Sequence, residues 1–143
     1  MYESYTRQSL PAKEYRELLG TALCVFNSNN GFIIENIIRT NTSFDWHELI
    51  DKESGHLREI ISSTISKECG TKEIEVLFLE IVNMRNGIIH SFRITSKSGE
   101  QILATKTRKK EGNIQFEITK EYFMDFIKKN EKLSDLLHQY RGC

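Results

Sequence analysis

Lys72–His90 reads KEIEVLFLEIVNMRNGIIH, and the architecture turns on it. Ile74, Val76, Leu77, Phe78, Leu79, Ile81, Val82, Met84, Ile88 and Ile89 cover more than one face of a helix. Only Glu73, Glu80 and Gly87, seven apart, form a clear non-apolar strip. A helix this apolar is central in a bundle or shared with a partner. After His90 the apolar period drops from 3.6 to about 2, the spacing of a half-buried strand. Phe92 and Ile94, then Ile102 and Ala104, then Ile114, Phe116 and Ile118 alternate with polar residues. Ser98-Gly99 and Glu111-Gly112-Asn113 supply turn chemistry between these runs. The spacing predicts a small antiparallel hairpin or meander of two or three strands inside 92–118.

The helical period returns after Thr119, a capping residue, with Tyr122, Phe123, Phe126, Ile127, Leu133, Leu136, Leu137 and Tyr140 on the buried side. Upstream, the only proline, Pro11, stands where a helix can begin. Tyr15, Leu18, Leu19, Ala22, Leu23 and Phe26 recur at helical spacing, and Asn27-Ser28-Asn29-Asn30-Gly31 then reads as a break or bend. A short helix with Phe32, Ile33, Ile37 and Ile38 follows, then a loop at Asn41-Thr42-Ser43. Asp45 is an N-cap for a helix carrying Trp46, Leu49, Ile50, Leu57, Ile60, Ile61 and Ile65, bent at Gly55. Trp46 is expected in the core or stapling the helix start. Cys69-Gly70-Thr71 is a stop followed by a new cap. The fold class is therefore mainly α: a bundle of four or five helices with the β insert before the last helix. The 143 residues are expected to form one domain, residues 1–143.

Apolar residues make up 38% of the chain, below the usual ~45–50%, and charged residues 28%. That composition describes a folded domain with a wet surface. Twenty basic residues balance twenty acidic ones, which excludes a globally basic nucleic-acid coat protein and an acidic tail. The balance hides an asymmetry. Residues 1–70 are net −3 and residues 71–143 net +3. In the window 85–110, Arg85, Arg93, Lys97, Lys106, Arg108, Lys109 and Lys110 face Glu100 alone, a net of +6. A local charge of this size attracts phosphates on a neutral protein. Cys24, Cys69 and Cys143 are odd in number and far apart, with no CxxC, so free thiols in a reducing compartment are expected. Opening on Met1, the chain is expected to be a complete product, and its first fifteen residues lack a signal-peptide core. The longest apolar run, Ala22–Phe26, is far short of the ~20 residues that cross a bilayer. A soluble, cytoplasmic protein with no membrane partner is the expectation.

Met84-Arg85-Asn86-Gly87-Ile88-Ile89-His90-Ser91 ends the apolar helix and opens the basic window. It offers a fixed cation, an amide and a group that titrates near neutrality. If the helix continues through His90, Asn86 and His90 are i and i+4 on one face. The Asn86 amide can then fix the imidazole tautomer. Arg85 lies about 100° round the helix, with a side chain long enough to reach the same space. Gly87 keeps the surface low enough for a backbone to approach. These residues make a small phosphate-handling site. They equally suit a structural role: Arg85 paired with Glu80 or Glu117, and His90 favoured by the helix dipole.

Arg85-Asn86-Gly87-Ile88-Ile89-His90 resembles the R-N-x-x-x-H form of the R-x(4–6)-H signature of the HEPN superfamily. Chain length and helical content are similar too. The resemblance rests on about seven motif residues and the helix pattern, not on the whole chain, and the strands at 92–118 depart from a plain helical bundle. It implies a small helical bundle that dimerises through its motif helices. Many members are metal-independent endoribonucleases of toxin–antitoxin, abortive-infection and CRISPR-linked defence. Others are inactive nucleotide-binding or scaffold modules. It thus implies Arg85, Asn86 and His90 as catalytic residues, RNA as substrate, no cofactor and no metal. A homodimer and an antitoxin or defence-system partner also follow from it.

The chemistry suits those residues. RNA carries its own nucleophile, the 2′-OH, so an enzyme need only align it, move protons and stabilise the charged phosphorane. His90 would act as general base or acid, and Arg85 would fork two phosphate oxygens. Arg93, Lys97, Lys106, Arg108, Lys109 and Lys110 are the candidate RNA-contacting residues, although Lys106–Lys110 also suits a solvated hairpin tip. His47 and His56 lack companions for a metal set, and His138 suits the dipole of the last helix. No P-loop, GxGxxG, HExxH or GxSxG occurs. The rival readings are a non-catalytic HEPN-like module that binds nucleotide, RNA or protein, and a helical interaction protein whose motif is accidental.

Overall fold

Asn27–Gly31, expected as a break, lies instead inside an unbroken 28-residue helix in the computed structural model, which describes residues 1–142. This helix, α1 (Lys13–Thr40), starts two residues after Pro11, whose carbonyl accepts from Arg16 Nε at 3.0 Å. The reason for the unbroken path is tertiary. Asn29 Nδ2 donates to the Asn130 carbonyl at 2.8 Å and to Asn130 Oδ1 at 3.0 Å, both buried. Asn30 Oδ1 accepts from Ser54 Oγ at 3.0 Å. Local turn propensity is overridden once these side chains find partners outside their own backbone.

The helix expected from Asp45 to Ile65 is divided. Asp45 does cap it, accepting from the Glu48 N–H at 3.1 Å, but α2 (Trp46–Ile50) ends after five residues. Buried Ser54 is drawn to Asn30 across a 3₁₀ turn, Ser54–His56, so the chain cannot stay helical there. It resumes as α3 (Leu57–Ser63) and α4 (Ile65–Cys69). These are two halves of one helix bent at Thr64, whose φ is −117° and whose Oγ1 donates to the Ile60 carbonyl at 2.6 Å. Leu49, Leu57, Ile61 and Ile65 are buried as expected, but Trp46 is exposed, edge-on to His47. Gly70, at φ +71°, closes α4, and Thr71 Oγ1 then accepts from the Glu73 N–H at 3.2 Å.

Helix α5 (Glu73–Ile89) leads into β1 (Phe92–Thr95), β2 (Gln101–Lys106) and β3 (Gln115–Ile118), and α6 (Lys120–Gly142) completes the chain. The molecule is mainly helical, with a small antiparallel sheet of order β1-β2-β3 placed before the last helix. Ile94 pairs with Ile102, and Leu103 with Ile118. The β2–β3 connection turns at Gly112 and Asn113, with φ of +100° and +53°, where only glycine or asparagine is comfortable. Thr119 caps α6, its Oγ1 accepting from the Tyr122 N–H at 3.1 Å.

One cluster of buried apolar side chains runs from Tyr15 to Leu137. At its centre Phe26 of α1 stacks against Phe78 of α5 and Phe126 of α6, with centroids 6.4 and 6.3 Å apart. Each such ring, fully buried, contributes about 1.5–3 kcal/mol. The apolar excess of α5 is largely absorbed here. Of its large apolar residues only Val76 and Ile89 are exposed, at 60% and 50%. The sheet is tied to α1 by the Tyr15 hydroxyl, which donates to the Ile118 carbonyl at 2.5 Å and accepts from the Leu103 N–H at 3.0 Å. Burial raises the Tyr15 phenol above its usual range. The strand alternation is only half realised: Ile102, Ala104 and Ile118 are buried, but Phe92, Ile114 and Phe116 are exposed. Among the described residues no helix is long and apolar enough to cross a membrane.

Candidate functional site

The last turns of α5 and the β2–β3 hairpin enclose a groove of about 540 Å³. Helix α5 supplies Asn83, Asn86 and Gly87, and His90 follows as its C-cap. The hairpin supplies Thr105, Lys106, Thr107, Arg108, Glu111 and Phe116, and α6 supplies Tyr122. Gly87 permits the approach. A Cβ there would lie 3.2 Å from the Tyr122 hydroxyl and 3.5 Å from Thr105 Cγ2. The Tyr122 hydroxyl is itself held, donating to the Met84 carbonyl at 3.0 Å. Burial, with Asp125 adding to it, pushes this phenol up to about 12, so at neutral pH it is a donor and not a base.

Of the three motif residues, Asn86 and His90 share this groove. They are joined through the backbone, the His90 N–H donating to the Asn86 carbonyl at 3.0 Å. The expected contact from the Asn86 amide to the imidazole is not made. Asn86 Oδ1 accepts instead from Arg85 Nη2 at 2.9 Å. Arg85 is not among the groove's lining residues. Its guanidinium lies over the Phe26 ring, 4.8 Å from the centroid, and is half-buried. It makes no ion pair with Glu80, which pairs with Lys129, or with Glu117. Burial lowers its pKa, with Glu53 opposing. Arg85 Nε is buried with no partner among the described residues. Position 85 projects toward α1 because it lies about 100° from position 86, and an aromatic face there attracts a cation.

The basic residues divide in the same way. Lys106 and Arg108 line the groove. Lys106 Nζ is steered by Asn113 Oδ1 at 2.7 Å. Lys109 and Lys110 lie on a 3₁₀ turn, exposed and outside the groove lining. Arg93, bonded to Gln101 Oε1 across β1 and β2, and Lys97, in the turn between them, also stay outside it. Glu111 adds one carboxylate to the wall.

Sequence reasoning missed Asn83, Thr105, Thr107, Glu111, Phe116 and Tyr122 as groove residues. Phe116 and Tyr122 had been placed on buried faces, yet Phe116 is 38% exposed and tilts against Tyr122 with centroids 6.2 Å apart. Phe116 meets Thr105 only through the register of β2 and β3, which no local run of sequence marks. Cys24 and Cys69 are free thiols, and Cys143 lies outside the described residues. No group of three or more His, Cys, Asp or Glu able to hold a metal ion occurs among the described residues. Comparison with known protein families, with curated proteins and with solved structures finds no match.

Proposed function

We propose that the groove between α5 and the β2–β3 hairpin handles RNA phosphates, and that the protein is a metal-independent endoribonuclease of the HEPN-like kind. The observation that carries this reading is the convergence of His90 and Asn86 with Lys106 and Arg108 on one groove. The RNA 2′-OH attacks the adjacent phosphorus, the bond from phosphorus to the 5′ oxygen breaks, and a 2′,3′-cyclic phosphate remains. His90 takes the 2′-OH proton or delivers one to the leaving 5′ oxygen. Lys106 and Arg108 neutralise the charge that builds on the phosphorane. Arg85 acts as a positioning residue, holding Asn86 through its Nη2.

In a two-fold dimer through α5, two copies of His90 divide the acid and base roles between protomers. Exposed Ile89, in the last turn of α5 and within the motif, suits that contact. A place in a prokaryotic toxin–antitoxin or defence system, in the cytoplasm and with a cognate partner protein, belongs to the same proposal. The test is total RNA incubated in EDTA with wild type and with His90→Ala. Cleavage leaving cyclic phosphate ends, abolished in the variant, is the expected result. Comparable cleavage of DNA, which lacks the nucleophile, overturns the mechanism.

A second reading draws on Arg85. Its guanidinium is spent on Phe26 and Asn86, so the motif of one chain presents no free arginine to a phosphate. That favours a non-catalytic module that binds RNA or nucleotide without cutting. Salt-dependent binding without any cleavage product supports it.

A further inference from the structure

Buried polar atoms find partners almost without exception, and Asn36 departs from that on one atom. The residue is 1% exposed. Its Nδ2 donates to the Phe32 carbonyl at 2.8 Å, but Oδ1 is buried with no partner among the described residues. Asn36 also lines a cavity of about 660 Å³, at the opposite end of α5 from the groove. There the C-terminal turns of α1, α4 and α6 meet the first turn of α5.

The Thr40 and Tyr140 hydroxyls, which line the cavity beside Asn36, are already used. Thr40 Oγ1 donates to the Asn36 carbonyl at 2.8 Å, so its 2.5 Å bond with Tyr140 is donated by the tyrosine. Helix C-termini add carbonyls without intrahelical partners and the negative end of the dipole, and Glu68 and Glu73 add carboxylates. Acceptors thus gather beside Asn36, while Arg141, which lines the same cavity, pairs with Glu35 at 3.7 Å. The mouth of the cavity differs. Arg39 is exposed there and has no ion-pair partner among the described residues. The volume falls within the roughly 300–1,000 Å³ of small-molecule sites.

We propose that this cavity binds a small anion bearing an N–H donor, with the N–H on Asn36 Oδ1 and the anionic group on Arg39. A nucleotide with an exocyclic amine and a free amino acid both have that chemistry. The proposal does not depend on the groove's acting on RNA.

Cys69 lines the cavity and reports on it, while exposed Cys24, elsewhere on α1, serves as control. N-ethylmaleimide labelling followed by peptide mapping is run with adenosine monophosphate, with L-glutamate and with inorganic phosphate. One of the first two is expected to slow labelling of Cys69 severalfold and leave Cys24 unchanged; which one does so distinguishes the sources. Asn36→Leu should weaken that protection by about tenfold, the worth of one hydrogen bond. Its melting temperature should match or exceed that of wild type, because an unpartnered oxygen has been removed. Should Asn36→Leu not fold, Arg39→Gln, on the surface, is expected to weaken protection in the same way. Three results overturn the proposal: no protection by either molecule, equal protection by inorganic phosphate, or wild-type affinity in folded Asn36→Leu or, where that variant does not fold, in Arg39→Gln.

Discussion

The two ends of α5 differ in electrical design, one net basic and the other balanced. At its C-terminal end, Lys106 and Arg108 line one groove with Asn86 and His90, against the single carboxylate of Glu111. At its N-terminal end, Glu68, Glu73, three helix C-termini and a buried amide oxygen share a cavity of mixed charge with Arg39 and Arg141. The same helix thus joins the groove proposed for RNA and the cavity proposed for a small anion. Cationic side chains come to one end from a hairpin, whereas the charged groups at the other come from four helices.

The largest expected effect separates the ends outright. His90→Ala should lower RNA cleavage about 10²- to 10⁴-fold, the range for losing a positioned acid or base, while Cys69 labelling and its ligand protection stay as in wild type. A change at both ends would show that they are coupled through α5. Next is the salt dependence of RNA binding. Replacing Lys106 or Arg108 with Ala should each reduce the logarithmic salt slope by about 0.7, the release per phosphate on a single strand. The same change at Lys109 or Lys110, outside the groove lining, should do less. Equal effects at all four would return the segment to a diffuse charged tip.

Smaller effects test how the groove end is held. Arg85→Ala should cost about 1–2 kcal/mol in urea denaturation through the lost contact with Phe26, alongside any loss of activity. Full stability would place Arg85 back among purely functional residues. Gly87→Ala should destabilise by about 1 kcal/mol or less, since the Tyr122 hydroxyl is pinned at 3.2 Å from the new methyl. In a Tyr122→Phe background the same change should be neutral or stabilising, because helical alanine is favoured over glycine. Last, ultraviolet titration should find one phenol that ionises only near pH 12, absent in Tyr122→Phe. Its folded pKa lies above the ordinary 10. Its contribution to stability is therefore whole below pH 10, shrinks as pH rises between 10 and 12, and is gone above that.

The groove end was the more legible in sequence because its parts are contiguous. Arg85 to His90 form one run, and Lys106 to Lys110 another. The period change at His90 announced the sheet, and Gly112-Asn113 its turn. What a run cannot reveal is which way each member points. Arg85 and Asn86 are neighbours in the chain, yet one lies over Phe26 and the other faces the groove. The break read at Asn27–Gly31 failed for a related reason, since Asn29 bonds to Asn130, a hundred and one positions away. The cavity end was invisible. Asn36, Glu68, Cys69 and Tyr140 come from three helices, and no local pattern marks an oxygen left without a donor.

The pairing of α1 with α6 also governs when this molecule can exist. Tyr15, Phe26 and Asn29 find Phe123, Phe126 and Asn130 only across about a hundred intervening residues. Contacts of such long sequence separation form late, because the loop must close before they contribute. A chain emerging from the ribosome therefore holds the whole Arg85–His90 run while Phe26 still lacks its α6 neighbour. Neither the groove, which needs Tyr122, nor the cavity, which needs Tyr140, is complete until the last helix docks. Synthesis of the 23 residues of α6 is thus a built-in delay between making the motif and assembling the groove that Asn86 and His90 line.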